Sequence, residues 1–490
     1  MITHDPIQFW AAVQPERVAL RSQRSAWTYG LLDHAVWASA DLLLARGLGS
    51  GEIVSLEFGP DDAFHFVVTL HAAHRLGLLP VPIGAQATGD ERAALRERAT
   101  VELTLTADYF KLEGSKAGQI ARAPRAEEPR TLRSRRLDAP AAICFTSGTS
   151  GPARAAVLTH GNFLWSAIAS ARNLGVREDD LWLSCLPLHH VGGLSILTRS
   201  AAYGTGVLIH ERFDPDAVSE AIDQDGVTLV SLVPTMLRRL LTARAGRPFP
   251  STLRAALIGG GPIEPALLEE AAALRMRALP TYGLTEAASQ VTTLRLGDWP
   301  NGLATAGTPL AFTRVQVRDD DGRAVGPGVE GEIVVRGPTV TTGYMGDPEA
   351  TAEALAGRWL HTGDVGAWDG AGRLIVLDRR SDRIVTGGEN VSPGEVERAL
   401  LAHPAIEGAC VIALPSAEWG QEVAAAVEFK PGRSTTLAEL RAHAAATLSG
   451  FKLPRHLMVV NALPRSTSGK LLRRVVRDRF LDEVAKQKHP

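Results

Sequence analysis

The sequence predicts a layered α/β protein: a large N-terminal domain built on a mostly parallel sheet, followed by a small α+β domain. Two observations lead there. Short β-branched runs alternate with amphipathic helical stretches through most of the chain, and the composition changes near Asp378-Arg379-Arg380-Ser381-Asp382, after which capping signals open short helices. At 490 residues with 45% hydrophobic content, the chain is long for a single core and favours at least two domains.

From the start, Met1 to Leu20 carries His4, Asp5, Glu16 and Arg17 around short apolar pieces, with no basic segment running into an apolar one, so no signal peptide is expected. Val54–Phe58 reads as a parallel strand. Val67–Leu79 is apolar but broken by His71, His74 and Arg75, which argues against a membrane span. Residues Arg122 to Arg136, rich in Arg, Pro and Glu without periodicity, read as a solvated connection. Their lack of interleaved aromatics argues against nucleic-acid binding. Ala142–Phe145, Leu229–Val233 and Ala255–Ile258 read as further strands of the parallel set, several running into Gly-rich turns. Ligands of open α/β sheets collect beyond the carboxyl ends of such strands. Trp368 to Leu377 reads as a hairpin. Ser392-Pro393-Gly394-Glu395 offers a capping Ser, Pro at the first helical position and Glu three residues after the cap, opening a helix toward Leu401. Thr436 and Glu439 repeat the box before Leu437–Leu448. The boundary falls near Ser381, dividing 1–380 from 381–490.

Acidic and basic residues nearly cancel at 54 against 52, so no global field draws the chain to nucleic acid or an anionic membrane, and anionic ligands must be held locally. Cys144, Cys185 and Cys410 are far apart and form no CxxC pair. That argues against a disulfide framework or structural zinc and fits buried thiols in a reducing compartment, hence a soluble cytoplasmic protein.

The strongest chemical signal is Thr146-Ser147-Gly148-Thr149-Ser150-Gly151, after one strand and before a helix beginning near Asn162. Small residues let successive backbone N–H groups turn onto phosphate oxygens, and the hydroxyls add compact donors. It is not a Walker loop: the Gly-Lys pair is Gly469-Lys470, and position 464, where that motif needs Gly, holds Pro464. Tyr282-Gly283-Leu284-Thr285-Glu286, Trp359-Leu360-His361-Thr362-Gly363-Asp364, Asp378-Arg379-Arg380-Ser381-Asp382 and Pro464-Arg465-Ser466-Thr467-Ser468-Gly469-Lys470 follow in that order. Together these motifs resemble the adenylate-forming superfamily of acyl-CoA synthetases, luciferases and peptide-synthetase adenylation domains, over nearly the whole chain.

The resemblance implies a mobile C-terminal lid and a reaction using ATP, Mg²⁺, a small-molecule carboxylate and CoA. It places Thr146 to Gly151, Gly260, Gly261, Tyr282, Gly283, Thr285, Asp364 and Arg379 around the nucleotide. Tyr282 would stack on adenine, Thr285 contact the α-phosphate and Asp364 accept from the ribose hydroxyls. Glu286 would hold Mg²⁺, a hard cation suited to carboxylate oxygen. Lys470 would bring positive charge to the reacting carboxylate and α-phosphate, while His190 borders the acyl pocket and gates the thiol route. Gly387 and Gly388 would enter the thiol channel after rotation about a hinge at Ser381. Taken singly, Glu286 reads as a surface acid, Asp364 as a turn residue and Lys470 as a solvated cation. Two departures stand out. Ala153-Arg154-Ala155 replaces the family's Pro-Lys-Gly, putting a planar fork where a point charge is usual. His189-His190 replaces Phe-His; His189 reads equally as a packed core residue. A condensation-domain His pair is excluded, because it needs Asp at position 194, which is Leu194.

Asp179 to Leu183, Gly192 to Ser200, Ala287 to Thr292 and Leu377 to Asp382 further resemble the o-succinylbenzoate–CoA ligases of menaquinone biosynthesis. Their substrate carries a second, aromatic carboxylate that needs a partner when buried. Arg199, with Ser289 and Gln290 as hydrogen-bonding neighbours and Gly261 lining the acyl site, is the candidate; an Arg on a helix surface is the alternative. An aryl- or medium-chain acyl-CoA ligase would lack that pairing. A peptide-synthetase adenylation domain would be expected to have a carrier domain after Pro490, and a nucleotide-binding regulatory pseudoenzyme would not need Lys470. The oligomeric state, a homodimer included, stays open.

Overall fold

The computed structural model describes residues 1–22, 25–108, 131–146, 153–379, 382, 384–386, 389–416, 418–465 and 471–488. Its centre is a nine-stranded sheet. Six strands run parallel, in the spatial order Ala278–Leu284, Ala255–Ile258, Leu229–Leu232, Leu181–Ser184, Gly206–Ile209 and Val18–Arg21. Antiparallel strands close both edges: Ser289–Thr293 and Thr308–Pro309 beyond the first, Ala26–Thr28 beyond the last.

The parallel strands are apolar on both faces because helices cover both. Alternate residues point to opposite faces, and they divide between two cores. Trp182, Val207, Leu229 and Leu257 pack with Val36, Val67, Phe163 and Leu197. Leu183, Leu208, Val230 and Ile258 pack with Val218, Leu237 and Leu267. A smaller parallel sheet joins Leu79–Pro82, Ile53–Leu56 and Leu103–Leu105. A four-stranded antiparallel sheet, Arg314–Arg318, Gly331–Arg336, Leu360–Trp368 and Leu374–Arg379, contains the expected hairpin. Its core residues Val317, Ile333 and Leu360 share a cluster with Tyr282, Ala287 and Tyr344, so this sheet supports the site from beneath.

From Ile384 onward the chain forms a five-stranded sheet around the long pair Ile406–Ser416 and Gly420–Phe429. The same alternation gives two faces: Val411, Val423 and Ala425 meet Val396, Leu400 and Leu440, while Ile412, Leu414 and Ala426 meet Val476 and Phe480. The Ser392 hydroxyl accepts from Glu395 N at 3.2 Å and caps Pro393–Leu401 as expected. Thr436 and Glu439 form the full reciprocal box. That helix, however, spans Leu437–Ala444 rather than reaching Leu448, and the chain passes through turns over 445–449 into the short Gly450–Lys452 3₁₀ turn.

Two other expectations are corrected. Ala142–Phe145 is not part of the parallel set; it lies within Pro140–Phe145, which pairs antiparallel with Ala155–Thr159. The phosphate-loop motif therefore joins the arms of a hairpin, and the following helix, His160–Leu174, starts after the second arm, capped by Thr159 and Asn162. The end of the Arg122–Arg136 stretch is exposed as expected at Ser134 and Arg136 but not at Arg135. Ser134–Arg136 pairs with Ile2–His4, and buried Arg135 bonds Asp5, itself fully buried. Asp5 also caps Pro6–Val13 and accepts from Arg75 Nε at 3.1 Å, while Arg75 reaches Asp33 at 2.7 Å. Two guanidinium groups on one carboxylate compensate a burial that would otherwise be costly. The three cysteines are buried and unpaired, with burial pushing each thiol up to about 12; they are packing residues. Among the described residues no helix is long and apolar enough to cross a membrane.

Candidate active site

Ala278–Leu284 leaves the parallel sheet and turns through Thr285–Ala287 into Ser289–Thr293. The reversal is tight enough that a Cβ on Gly283 would lie 1.9 Å from the Ser289 carbonyl oxygen. Ala288 and Ser289 complete it with φ of 50° and 96°, both in the left-handed region that side chains disfavour. The family resemblance implies a nucleotide role for Gly283; in the fold its small size lets the strand pair close beside Thr285 and Glu286. Gly260, at φ 84°, and Gly261 follow Ala255–Ile258, and nothing stands within 4 Å of where a Cβ of Gly261 would point.

Two expected nucleotide residues meet. The Tyr282 hydroxyl donates to Asp364 Oδ2 at 2.7 Å. Asp364, 7% exposed, lies on Leu360–Trp368 beside Gly363 at φ 68°, and its backbone pairs across the ladder with Arg379. Glu332 fixes the approach to that turn, accepting from Gly363 N at 3.2 Å and meeting His361 Nδ1 at 3.0 Å.

Glu286 is held by a residue the sequence reading did not single out. The Tyr344 hydroxyl donates to Glu286 Oε1 at 3.0 Å, and Thr341 N donates to the Glu286 carbonyl at 2.7 Å. Arg154, the residue in place of the family lysine, lies with its guanidinium carbon 5.3 Å from the Tyr344 ring centroid. Burial, reinforced by Glu286, pushes the Tyr344 phenol above its usual range, against a smaller pull from Arg154. Thr146 and Arg154 face each other at the hairpin end, Thr146 N donating to the Arg154 carbonyl at 2.9 Å. Among the described residues no cluster of three or more His, Cys, Asp or Glu could hold a metal. One carboxylate engaged by Tyr344, next to Arg154 on the hairpin that carries the expected phosphate motif, fits Mg²⁺, which commonly takes one or two carboxylates and completes its shell with phosphate and water.

Arg199 is not on a helix surface. It is 2% exposed on Val191–Tyr203, with its guanidinium carbon 5.7 Å from the Trp182 ring centroid. It donates to Ser166 Oγ at 3.4 Å, and Ser166 donates to the Ala288 carbonyl at 2.8 Å, so the cation is linked to the turn that carries Ser289. Its Nε has no hydrogen-bond partner, nor does the buried Gln290 Oε1. Burial lowers the guanidinium to about 10. His190 is the N-cap residue of the Arg199 helix, and its ring lies 4.3 Å from that of His189. His189 packs against Gly84, where a Cβ would come within 2.7 Å of its Nε2, and burial lowers the imidazole to about 4. His189 is thus the packed member of the pair.

Ser147, Gly148, Thr149, Ser150, Gly151, Ser381, Gly387, Gly388, Lys470 and the side chain of Arg379 lie outside the described residues.

The AMP-binding enzyme family matches residues 7–345, and the AMP-binding enzyme C-terminal domain matches residues 395–470. The chain belongs to the AMP-binding enzyme family. Both parts of this AMP-binding enzyme, the large α/β domain and the small C-terminal one, are those expected of the adenylate-forming superfamily. It is 37% identical over 469 residues to a 2-succinylbenzoate–CoA ligase of Geobacillus sp. strain WCH70, covering 94% of each chain. The o-succinylbenzoate CoA synthetase of Bacillus subtilis in complex with its acyl-adenylate intermediate superposes with a TM-score of 0.89 at 33% identity, over 98% of this chain and 99% of that one. The same synthetase with ATP and magnesium ion gives 0.88 at 33% identity, over 97% and 99%.

Proposed function

We propose that this AMP-binding enzyme is an o-succinylbenzoate–CoA ligase. The succinyl carboxylate attacks the α-phosphorus of ATP, the bond to the β-phosphate oxygen breaks, and pyrophosphate leaves. The CoA thiol then loses its proton and attacks the acyl carbon, releasing AMP and forming o-succinylbenzoyl-CoA. The observation that carries the substrate choice is Arg199, a buried cation with no acidic partner among the described residues. Burying it unpaired is costly, and the aromatic carboxylate of the substrate would supply the missing charge. Gln290, Ser289 and Gly261 would border the same acyl group.

In this reading Tyr282 stacks on adenine and orients Asp364 toward the ribose hydroxyls. Thr146 to Gly151, Gly260, Gly283 and Thr285 hold the phosphates and their surroundings, and Arg379 pairs with ribose or phosphate. Glu286 would hold Mg²⁺, which supplies charge neutralisation to the phosphates when bound. Lys470 is the group brought to the reacting carboxylate, and catalysis rests on positioning and charge stabilisation. The 381–490 module turns about Ser381 between the two steps, so that Gly387 and Gly388 replace Lys470 at the thiol route that His190 gates. We place the enzyme in the cytoplasm, acting on diffusible substrates; light scattering reads whether it runs as a 52.2 kDa monomer or as a homodimer.

The test is CoA-dependent thioester formation with ATP and Mg²⁺, comparing o-succinylbenzoate with benzoate, succinate and octanoate by mass spectrometry. A dominant o-succinylbenzoyl-CoA product supports the assignment. Preference for a monocarboxylate leaves the ligase chemistry and overturns the substrate; no product with any acid overturns both.

A further inference from the structure

Segment 341–345 ties two parts of the site that are far apart in sequence. Val157 N donates to the Gly343 carbonyl at 2.9 Å and Met345 N to the Ala155 carbonyl at 2.8 Å, so the segment runs against the second arm of the phosphate hairpin. On its other side Thr341 N holds the Glu286 backbone at 2.7 Å. Thr341 Oγ1 donates to the Val157 carbonyl at 2.6 Å, and Thr351 Oγ1 accepts from Tyr344 N at 2.9 Å. Tyr344, 8% exposed in the core beneath the site, therefore has a fixed backbone, a ring facing Arg154 and a hydroxyl on Glu286.

We propose that Tyr344 is a positioning residue for the metal–triphosphate half of the site: its hydroxyl fixes one Glu286 oxygen so that the other faces Mg²⁺, and its ring seats Arg154 at the base of the phosphate loop. The inference rests on the assignment of Glu286 to Mg²⁺. A phenol donating to a carboxylate is a charge-assisted bond that restricts the carboxylate rotamer. The ring face attracts a guanidinium, and a planar cation stacks there as a lysine ammonium would not. Arg154 is thus accommodated in place of the family lysine because a flat aromatic surface lies beside it. The two contacts act on different ligand parts: the hydroxyl on metal affinity, the seat on the phosphates.

Isothermal titration calorimetry of the full chain with ATP, at a series of MgCl₂ concentrations and without acid or CoA, separates them. Tyr344→Phe keeps the ring and should raise the Mg²⁺ midpoint for ATP binding by about tenfold, the order expected for losing a charge-assisted hydrogen bond, while metal-free ATP binds as in the parent. Arg154→Met should weaken metal-free ATP and leave the Mg²⁺ midpoint in place. Glu286→Gln should remove the Mg²⁺ dependence itself. If Glu286→Gln keeps the parental dependence, the metal assignment fails and the Tyr344 role falls with it. If Glu286→Gln loses the dependence while Tyr344→Phe keeps the parental midpoint, the metal assignment stands and the Tyr344 proposal is overturned. An Arg154→Met protein that binds metal-free ATP normally overturns the seat.

Discussion

The Tyr282 hydroxyl lies 2.7 Å from Asp364 Oδ2 and ties the last parallel strand of the central sheet to the four-stranded sheet beneath the site. A residue expected to stack on adenine thereby also orients the residue expected to bind ribose. Tyr282→Phe keeps the ring and removes one donor from a buried carboxylate, a loss of about 1–3 kcal/mol. The expected outcome is a lower thermal midpoint together with a severalfold loss of ATP affinity by calorimetry. A lower midpoint with parental ATP affinity would show that Asp364 is oriented without Tyr282.

Gly283→Ala tests the turn. The added carbon would meet the Ser289 carbonyl at 1.9 Å, and that contact is backbone, so the strand pair must open. The strain is about 1–3 kcal/mol or more and falls on Thr285 and Glu286. ATP binding should be lost while far-UV circular dichroism stays near parental. Full retention of binding would mean that the Ser289 turn shifts independently of Glu286.

Arg199 lets substrate recognition be separated from stability. Burial lowers its guanidinium to about 10, so it remains charged at pH 7 with no acidic partner among the described residues. Arg199→Met fills similar space without the charge. Removing an uncompensated buried charge should hold or raise the thermal midpoint. The same change should reduce kcat/KM for o-succinylbenzoate by about 100-fold, since truncating one side of a buried pair costs about 2–5 kcal/mol, and change a neutral-ring analogue by less than about threefold. Equal effects on the two acids would remove Arg199 from the pocket.

The layered α/β fold was legible because short apolar runs such as Leu229–Leu232 and Ala255–Ile258, whose side chains divide between the two cores, alternate with helical stretches. The hairpin around the phosphate loop was not, because Ala155–Thr159 is short and its polar Thr159 also caps the next helix; the two signals overlap and the helix signal dominates. Glu286, Tyr282 and Asp364 were named from motifs, whereas Tyr344 was missed because an aromatic after Gly343 carries no periodicity, and its role exists only where two distant segments pair. Arg135 was read as solvated because its neighbours are charged, and its burial is explained by its partner Asp5, 130 residues earlier in the chain.

That same region predicts acid sensitivity. His71 and His160 are lowered to about 3, and His74 well below its usual value, each chiefly by burial. Their rings adjoin, at 6.1 Å for His71–His74 and 4.9 Å for His74–His160. With folded values below the unfolded 6.5, the unfolded chain binds more protons as pH falls from about 6.5 toward 3, so stability falls with pH in that window. Each histidine contributes about 1.4 kcal/mol per pH unit. Asp5, held far below the carboxylate range by Arg135 and Arg75 against its burial, adds loss of the same sign below about 3.8. The first thermal transition should drop steeply between pH 6.5 and 4.5, and His71→Leu should flatten the drop by about a third. A flat profile down to pH 5 would contradict neutral burial of these rings.

Lys470 separates the half-reactions. Its motif, with Gly469 beside it, sits in the C-terminal module, and the flanking Arg465 and Leu471 bridge to each other, so the two ends of the loop are held together. Just beyond, Arg473 bonds Glu397 at 2.7 Å and reaches Asp382 at 3.8 Å, which joins the foot of the lysine loop to the residue after the proposed hinge. A cation delivered by a rotating module acts only in the step for which it is in place. Lys470→Ala should therefore suppress acyl-adenylate formation by about 100-fold or more, the scale of losing one electrostatic stabiliser. Transfer from preformed acyl-adenylate to CoA should stay within about threefold of the parent, because in the proposed rotation that step uses the other module position. Rapid-quench assays of each half-reaction read this directly. Equal suppression of both steps would place Lys470 at the site throughout and argue against rotation about Ser381.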